Sequence, residues 1–201
     1  MVIRKGEDWG WAASVPATAA HCEDDVSLAA AAAAAYRQGD VLEATLSRGD
    51  LWRTVGGIDG QPASGESRCL PIDLGVVSLD GAADRYFVAH VIVRRVAWQG
   101  EGLAAMNAAW LGDLYLGPRA HPNDNLLDIT IGRIPWRQRL EARKRAKSGM
   151  HLPHPELAVK RVPTLTHTFS RPTMVRIDGQ KTAPATQVEV RLIPDAIRIY
   201  V

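Results

Sequence analysis

From residue 70 to the C-terminus the chain is written in short runs of β-branched and aromatic residues, each closed by a turn signal. Residues 70–78, 86–96, 103–111, 126–131, 159–162, 165–169, 174–177, 186–193 and 197–201 all have strand composition. Asp80-Gly81, Asp178-Gly179 and Pro194-Asp195 supply turns between them. Only residues 135–147 break the series, with apolar positions at helical spacing and Trp136 and Leu140 expected on the inner side. Many short strands around one helix predict a β-sandwich.

The first sixty residues have another texture. Residues 1–22 read as irregular. Asp24 or Asp25 is placed to cap a helix that runs through Ala29 and its six alanine successors to Tyr36, and Gly39 is placed to end it. The alanines favour helix by propensity alone, and they also suit close packing on a sheet. Residues 41–46 read as a strand, 47–50 as a turn and 51–56 as a short helical turn. Residues 57–68 are a turn-rich linker. The expected class is therefore α+β and mostly β, with residues 1–60 as a small α/β appendage and residues 69–201 as the β-sandwich domain.

Composition excludes several functions. Hydrophobic residues make up 46% and charged residues 23%, enough for a core without covalent staples. A net charge of +2 gives no ground for expecting nucleic acid as a partner. The charge is uneven, however. Seven basic residues lie between Arg133 and Lys147 against one acid, Glu141. Cys22 and Cys69 have neither disulfide-framework nor zinc spacing. The N-terminus has no signal-peptide core, and no run reaches the roughly 18–20 apolar residues that span a bilayer, so the expected location is the cytoplasm.

Several short segments have a composition and order of their own. Pro71-Ile-Asp73-Leu-Gly75 leads into Arg85-Tyr-Phe87-Val-Ala-His90. Next come Pro118-Arg-Ala-His-Pro-Asn-Asp124-Asn-Leu-Leu-Asp128 and, after the basic helix, Gly149-Met-His-Leu. Ile177-Asp178-Gly179-Gln180 and a Pro194-Asp-Ala196 step close the set. In this order they resemble the C-terminal β-rich lobe of the diacylglycerol kinase and bacterial lipid kinase family, over residues 70–201. Asn125 stands where that family has glycine, and Gln180 where it has glutamate. Upstream, Ser47-Arg-Gly-Asp50-Leu-Trp-Arg53-Thr-Val-Gly56 is similar to the family segment that faces the phosphoryl acceptor, as though residues 1–60 were a shortened nucleotide lobe.

The resemblance implies transfer of the ATP γ-phosphoryl group to a lipid hydroxyl. Asp178 would be the general base, Asp50 and Arg53 would serve the acceptor site, and Asp124 would hold Mg²⁺. The family's Gly-Gly-Asp-Gly-Thr loop, whose backbone N–H groups approach phosphates, does not occur in these residues, so ATP binding of the usual kind is not expected. Each residue also has a plain reading: Asp178 as a turn aspartate, Asp124 as a loop cap, and His90, His121, His151 and His154 as structural histidines. Arg137, Arg143, Lys144 and Lys147 are either a surface for anionic lipid or phosphate or a solvated helix face. Two functions follow: a weak or inactive relative of lipid kinases, or a non-catalytic module. The module would bind lipid at a membrane surface, or dock a partner chain or a second copy that supplies a nucleotide lobe.

Overall fold

The computed structural model describes residues 9–201. In the segment read as irregular, two short strands form, β1 (Trp11–Ser14) and β2 (Ala20–Cys22). Residues 1–8 of that segment lie outside the described residues. Helix α1 (Asp25–Gln38) starts at Asp24, whose side chain accepts from Ser27 N while the Ser27 hydroxyl accepts from Asp24 N. It stops at Gly39, which takes φ 83° and bonds back to the last turn. The strand β3 (Leu42–Leu46) and the short helix α2 (Asp50–Thr54) follow.

The strand β4 (Glu66–Leu79) is longer than its sequence pattern, taking the end of the expected linker into the sheet. The next expected strand is two: β5 (Arg85–Phe87) and β6 (His90–Val93) lie in different sheets, and the chain crosses between them at Val88 and Ala89. Then come β7 (Gly102–Met106), β8 (Leu127–Gly132), α3 (Trp136–Ala146) and β9 (Leu157–Val162). The chain closes with β10 (Thr164–Thr173), β11 (Val175–Ile177), β12 (Gln180–Lys181) and β13 (Ala185–Tyr200). The last two expected strands are thus one, kinked by an irregularity between Ile193 and Ile197 where Asp195 takes φ 55°.

One sheet has the order β1-β4-β13-β3-β2, with β5 on β4 and β10 on β13. The other has the order β12-β11-β6-β7-β8-β9. The sandwich core lies between them, from Val77, Leu79, Val188 and Val190 on one side and Val91, Val93, Leu103, Ala105, Leu127 and Ile129 on the other. A second core joins α1, α2 and β3 to the remaining halves of the long strands through Leu28, Leu46, Trp52, Leu70, Ile72, Leu74, Ile197 and Ile199. On β4 the even-numbered residues 70–74 serve this core while Val77 and Leu79 serve the sandwich, so opposite faces of one strand feed the two cores. Mostly β, with sheets arranged as a sandwich, the fold matches the class expected from the sequence.

Candidate functional site

Asp178 sits at the turn between β11 and β12 at φ 44°. Its carboxylate faces the crossing between sheets. Oδ2 accepts from Val88 N at 2.8 Å, and Oδ1 accepts from Ala89 N and His90 N, each at 2.9 Å. In return Asp178 N donates to His90 O at 3.0 Å. The two-residue crossing lies outside both ladders, and this one side chain takes its two donors and that of His90 at the start of β6.

His90, 1% exposed, reaches Asp50 through Nε2 to Oδ2 at 2.9 Å. Asp50 Oδ1 accepts from Gly112 N at 2.8 Å, and Arg53 donates to Gly112 O at 2.9 Å. The Arg53 guanidinium also stacks over the Trp110 ring, 3.4 Å from its centroid. Beneath them, the buried Asp25 carboxylate accepts from Asp50 N at 2.7 Å and Leu51 N at 3.3 Å, capping α2 from a different helix. Gly49 allows that approach, because a Cβ there would stand 2.4 Å from Asp25 Oδ1.

The structure therefore brings Asp50, Arg53 and Asp178 to one place and adds Asp25 and His90, which carried no functional expectation. Asp25 was legible only as an alternative helix cap, and its i+25 partner gives no sequence signal. The charges interact strongly. Burial, then the Asp178 charge, pushes Asp25 up to about 8. Burial also raises Asp178, opposed by the His90 charge and the three backbone donors. For His90, burial works against the cation, but the bond to Asp50 and the charges of Asp178, Asp50 and Asp25 outweigh it and raise its pKa.

A second aspartate cluster braces the loop 118–126. Asp73 accepts from Asn125 N at 2.8 Å, Asp195 N at 3.1 Å and Asn123 Nδ2 at 3.4 Å. Burial pushes its pKa up to about 7. Asn125, at φ 55°, takes the left-handed turn expected of the glycine it replaces. The Asp124 carboxylate is engaged on both oxygens: Oδ1 accepts from Leu126 N at 3.0 Å and Oδ2 pairs with Arg161. Arg161 also bonds Asp128 at 2.8 Å, so the positive partner of this loop is a guanidinium. A dication of the Mg²⁺ type wants near-octahedral oxygen ligands, and the two carboxylates that would begin such a set already share an arginine. Among the described residues no group of three or more His, Cys, Asp or Glu side chains is placed to hold a metal.

The basic helix ends beside the first cluster, where Ala146 O accepts from Tyr115 N and Tyr115 stacks on Trp110, the ring under Arg53. Arg143 and Arg139 line a cavity under α3, Lys147 pairs with Asp113 at 3.2 Å, and Arg137 lies 5.3 Å over the Trp136 ring. Trp136 and Leu140 both line the cavity beneath α3, but neither packs down on the sheet: they are 71% and 67% exposed. The residue of α3 that is buried is Ala146, so the helix stands off the sheet instead of packing its larger apolar groups down. No helix among the described residues is long and apolar enough to cross a membrane.

The family model of the YegS C-terminal NAD kinase beta sandwich-like domain matches residues 74–201. No curated protein matches. Among solved structures, a "putative diacylglycerol kinase" from Bacillus anthracis str. Sterne superposes with TM-score 0.56 at 11% identity, over 80% of this chain and 69% of that one. Another so described, from the same strain, gives 0.55 at 10% identity over 79% and 69%. A third, a diacylglycerol kinase from that strain, reaches 0.48 at 10% identity; this chain covers 54% of it with 66% of its own length, and the score is too low to carry weight. At such identities the likeness is one of fold. With the family match across more than half its length, the chain belongs to the YegS C-terminal NAD kinase beta sandwich-like family and is a lobe of the lipid kinase C-terminal type.

Proposed function

We propose that this chain is a lipid-engaging relative of the diacylglycerol kinases that does not transfer phosphate from ATP by itself. The observation behind the reading is the Asp178 carboxylate, whose oxygens already serve Val88, Ala89 and His90 N–H groups. A general base needs a free lone pair aimed at the substrate hydroxyl, and backbone donors already take three of this carboxylate's roughly four acceptor sites. Here the side chain ties two sheets together. The lipid-facing element is α3, where Arg137, Arg143 and Lys144 flank exposed Trp136 and Leu140, a pattern suited to the anionic surface of a membrane.

Calorimetry with ATP, with and without Mg²⁺, tests the first half. No heat at millimolar ATP is expected, and micromolar Mg-dependent binding would overturn the reading. Sedimentation with phosphatidylglycerol vesicles tests the second half. Binding that weakens with salt is expected, and equal binding to phosphatidylcholine would remove the anionic-surface role.

A second reading has support of its own. Asp25, Asp50, His90 and Asp178 interact as one group, with Asp25 pushed up to about 8, and such groups near neutrality suit proton transfer. If a partner chain or a second copy supplies the nucleotide grip, Asp178 would be the base and Asp50 and Arg53 would position the lipid hydroxyl. Mg²⁺ would neutralise the ATP phosphates. Lipid phosphorylation appearing only on mixing with that partner, and lost in Asp178→Asn, is the corresponding result.

A further inference from the structure

Arg161 stands on β9, the last strand of the second sheet, directly opposite Asp128 of β8 in the ladder. Its guanidinium is a bridge. Nε donates to Asp128 Oδ1 at 2.8 Å, and Nη2 donates to Asp124 Oδ2. The other oxygen of each carboxylate accepts a backbone N–H of the loop between them. Asp128 Oδ2 accepts from Arg119 N at 3.1 Å, and Asp124 Oδ1 accepts from Leu126 N at 3.0 Å. One side chain therefore fixes two carboxylates, and the two carboxylates fix both ends of residues 119–126. A planar fork with donors on two edges suits this task, whereas a lysine ammonium is a point charge.

The loop held in this way also braces other elements. Asn125 N donates to Asp73 at 2.8 Å, and Pro122 O accepts from Asp73 N at 2.7 Å. Asn123 Nδ2 donates to Asp195 at 2.9 Å, at the irregularity in β13. His121 stacks on Trp9 with 4.5 Å between ring centroids. The bridge is largely out of water: the side chains of Asp128, Asp124 and Arg161 are 6%, 15% and 31% exposed. Burial raises the pKa of Asp128, and the Arg161 charge is the largest force opposing that rise. Two carboxylates that share one neighbour repel each other unless that neighbour is a cation.

We propose that Arg161 is the resident cation of this loop and does the work of a structural dication, so that residues 118–128 order without divalent metal. The Mg²⁺ expected at Asp124 is replaced by a group of the chain itself. An entering dication would have to displace the guanidinium, because all four oxygens of Asp124 and Asp128 already accept a hydrogen bond. Substitution should reverse the replacement. Arg161→Met keeps an unbranched side chain and removes the charge, which leaves both carboxylates without a cation. Mg²⁺ keeps several waters and takes roughly one or two carboxylates, so it can then enter. None of this depends on the lipid-engaging reading.

The test is thermal unfolding of the full chain, followed by circular dichroism. The unsubstituted protein should unfold at the same temperature in EDTA and in millimolar Mg²⁺ or Ca²⁺. Arg161→Met should unfold roughly 5–10 °C lower in EDTA, because its partly buried carboxylates lose their counter-charge. Millimolar Mg²⁺ or Ca²⁺ should restore about half of that loss or more, and NaCl of equal ionic strength should not. Adding Asp124→Asn to Arg161→Met should abolish the recovery. Three results overturn the proposal. One is an unsubstituted midpoint that rises with Mg²⁺ and no longer does so in Asp124→Asn. Another is an unchanged midpoint in Arg161→Met, which leaves Arg161 without a role in the loop. The third is a lowered midpoint that neither dication restores, which makes the bridge an ordinary ion pair. If Arg161→Met does not fold even with metal, Mn²⁺ binding to the unsubstituted chain, read by electron paramagnetic resonance, decides. No bound ion supports the proposal, and an ion that is bound and then lost in Asp124→Asn overturns it.

Discussion

At the scale of single residues, Asp178 carries two readings that differ in what its loss should do. As a structural cap, its removal strands the N–H groups of Val88, Ala89 and His90, all of which lie in residues no more than 1% exposed. Asp178→Ala should therefore lower unfolding stability by about 1–3 kcal/mol in urea titrations, because buried donors lose their acceptor. An unchanged midpoint would mean that the crossing is held by something else. Asp73 makes a separate prediction about pH. Its folded pKa, pushed up to about 7, lies above the ordinary carboxylate value of about 3.9. The stability it contributes is then full below about pH 4 and is lost as pH rises through about 7. The denaturation midpoint should fall across that window, and Asp73→Asn should flatten the slope. The sequence showed Asp124 and Asp178 as loop aspartates worth attention, and Asp73 as an aspartate in a strand. It did not show their partners, which lie 90, 89 and 88 residues away for Asp178 and 122 residues away for the Asp73–Asp195 bond.

At the scale of elements, alternation and turn chemistry reveal strands, but not where one strand changes sheet. The run 86–96 looks continuous because Phe87, Val88, Ala89, Val91, Ile92 and Val93 are all apolar and all buried. Only the packing separates β5 from β6. The converse happens at Pro194-Asp195, where a turn signal is absorbed as an irregularity inside β13. Helix α3 was legible as a basic helix with Trp136 and Leu140 toward the sheet, but its stand-off from the sheet was not. Spacing alone assumes that large apolar side chains reach the sheet, and here the small residues Gly102, Ala104, Thr130 and Gly132 leave a cavity beneath them. Gly75 tests how tightly β4 and β5 are packed. A Cβ on it would meet the Phe87 ring at 2.3 Å. Since Phe87 is 0% exposed, the ring has no free space to move into. Gly75→Ala should cost roughly 1–3 kcal/mol by overpacking, and Gly75→Ala with Phe87→Leu should recover part of that loss.

At the scale of the whole molecule, β4 and β13 decide how the two cores respond together. Ile197 and Ile199 of β13 pack with α1, while Val188 and Val190 of the same strand pack between the sheets. Its ladder to β4 runs from Val188–Leu79 to Tyr200–Cys69, through both regions. Opening either core requires loosening strands that the other core also needs, so the two should unfold as one cooperative unit. Ile199→Ala probes this at the α1 end. Truncating a fully buried isoleucine costs roughly 2–5 kcal/mol. Amide exchange should then quicken by the same free energy in β3, which pairs with β13 beside the substitution, and in β7, which contributes to the sandwich core and gives no residue to the α1 core. Faster exchange in β3 with β7 unchanged would show that the α1 region opens by itself, and the long strands would then be bridges between two units instead of the spine of one.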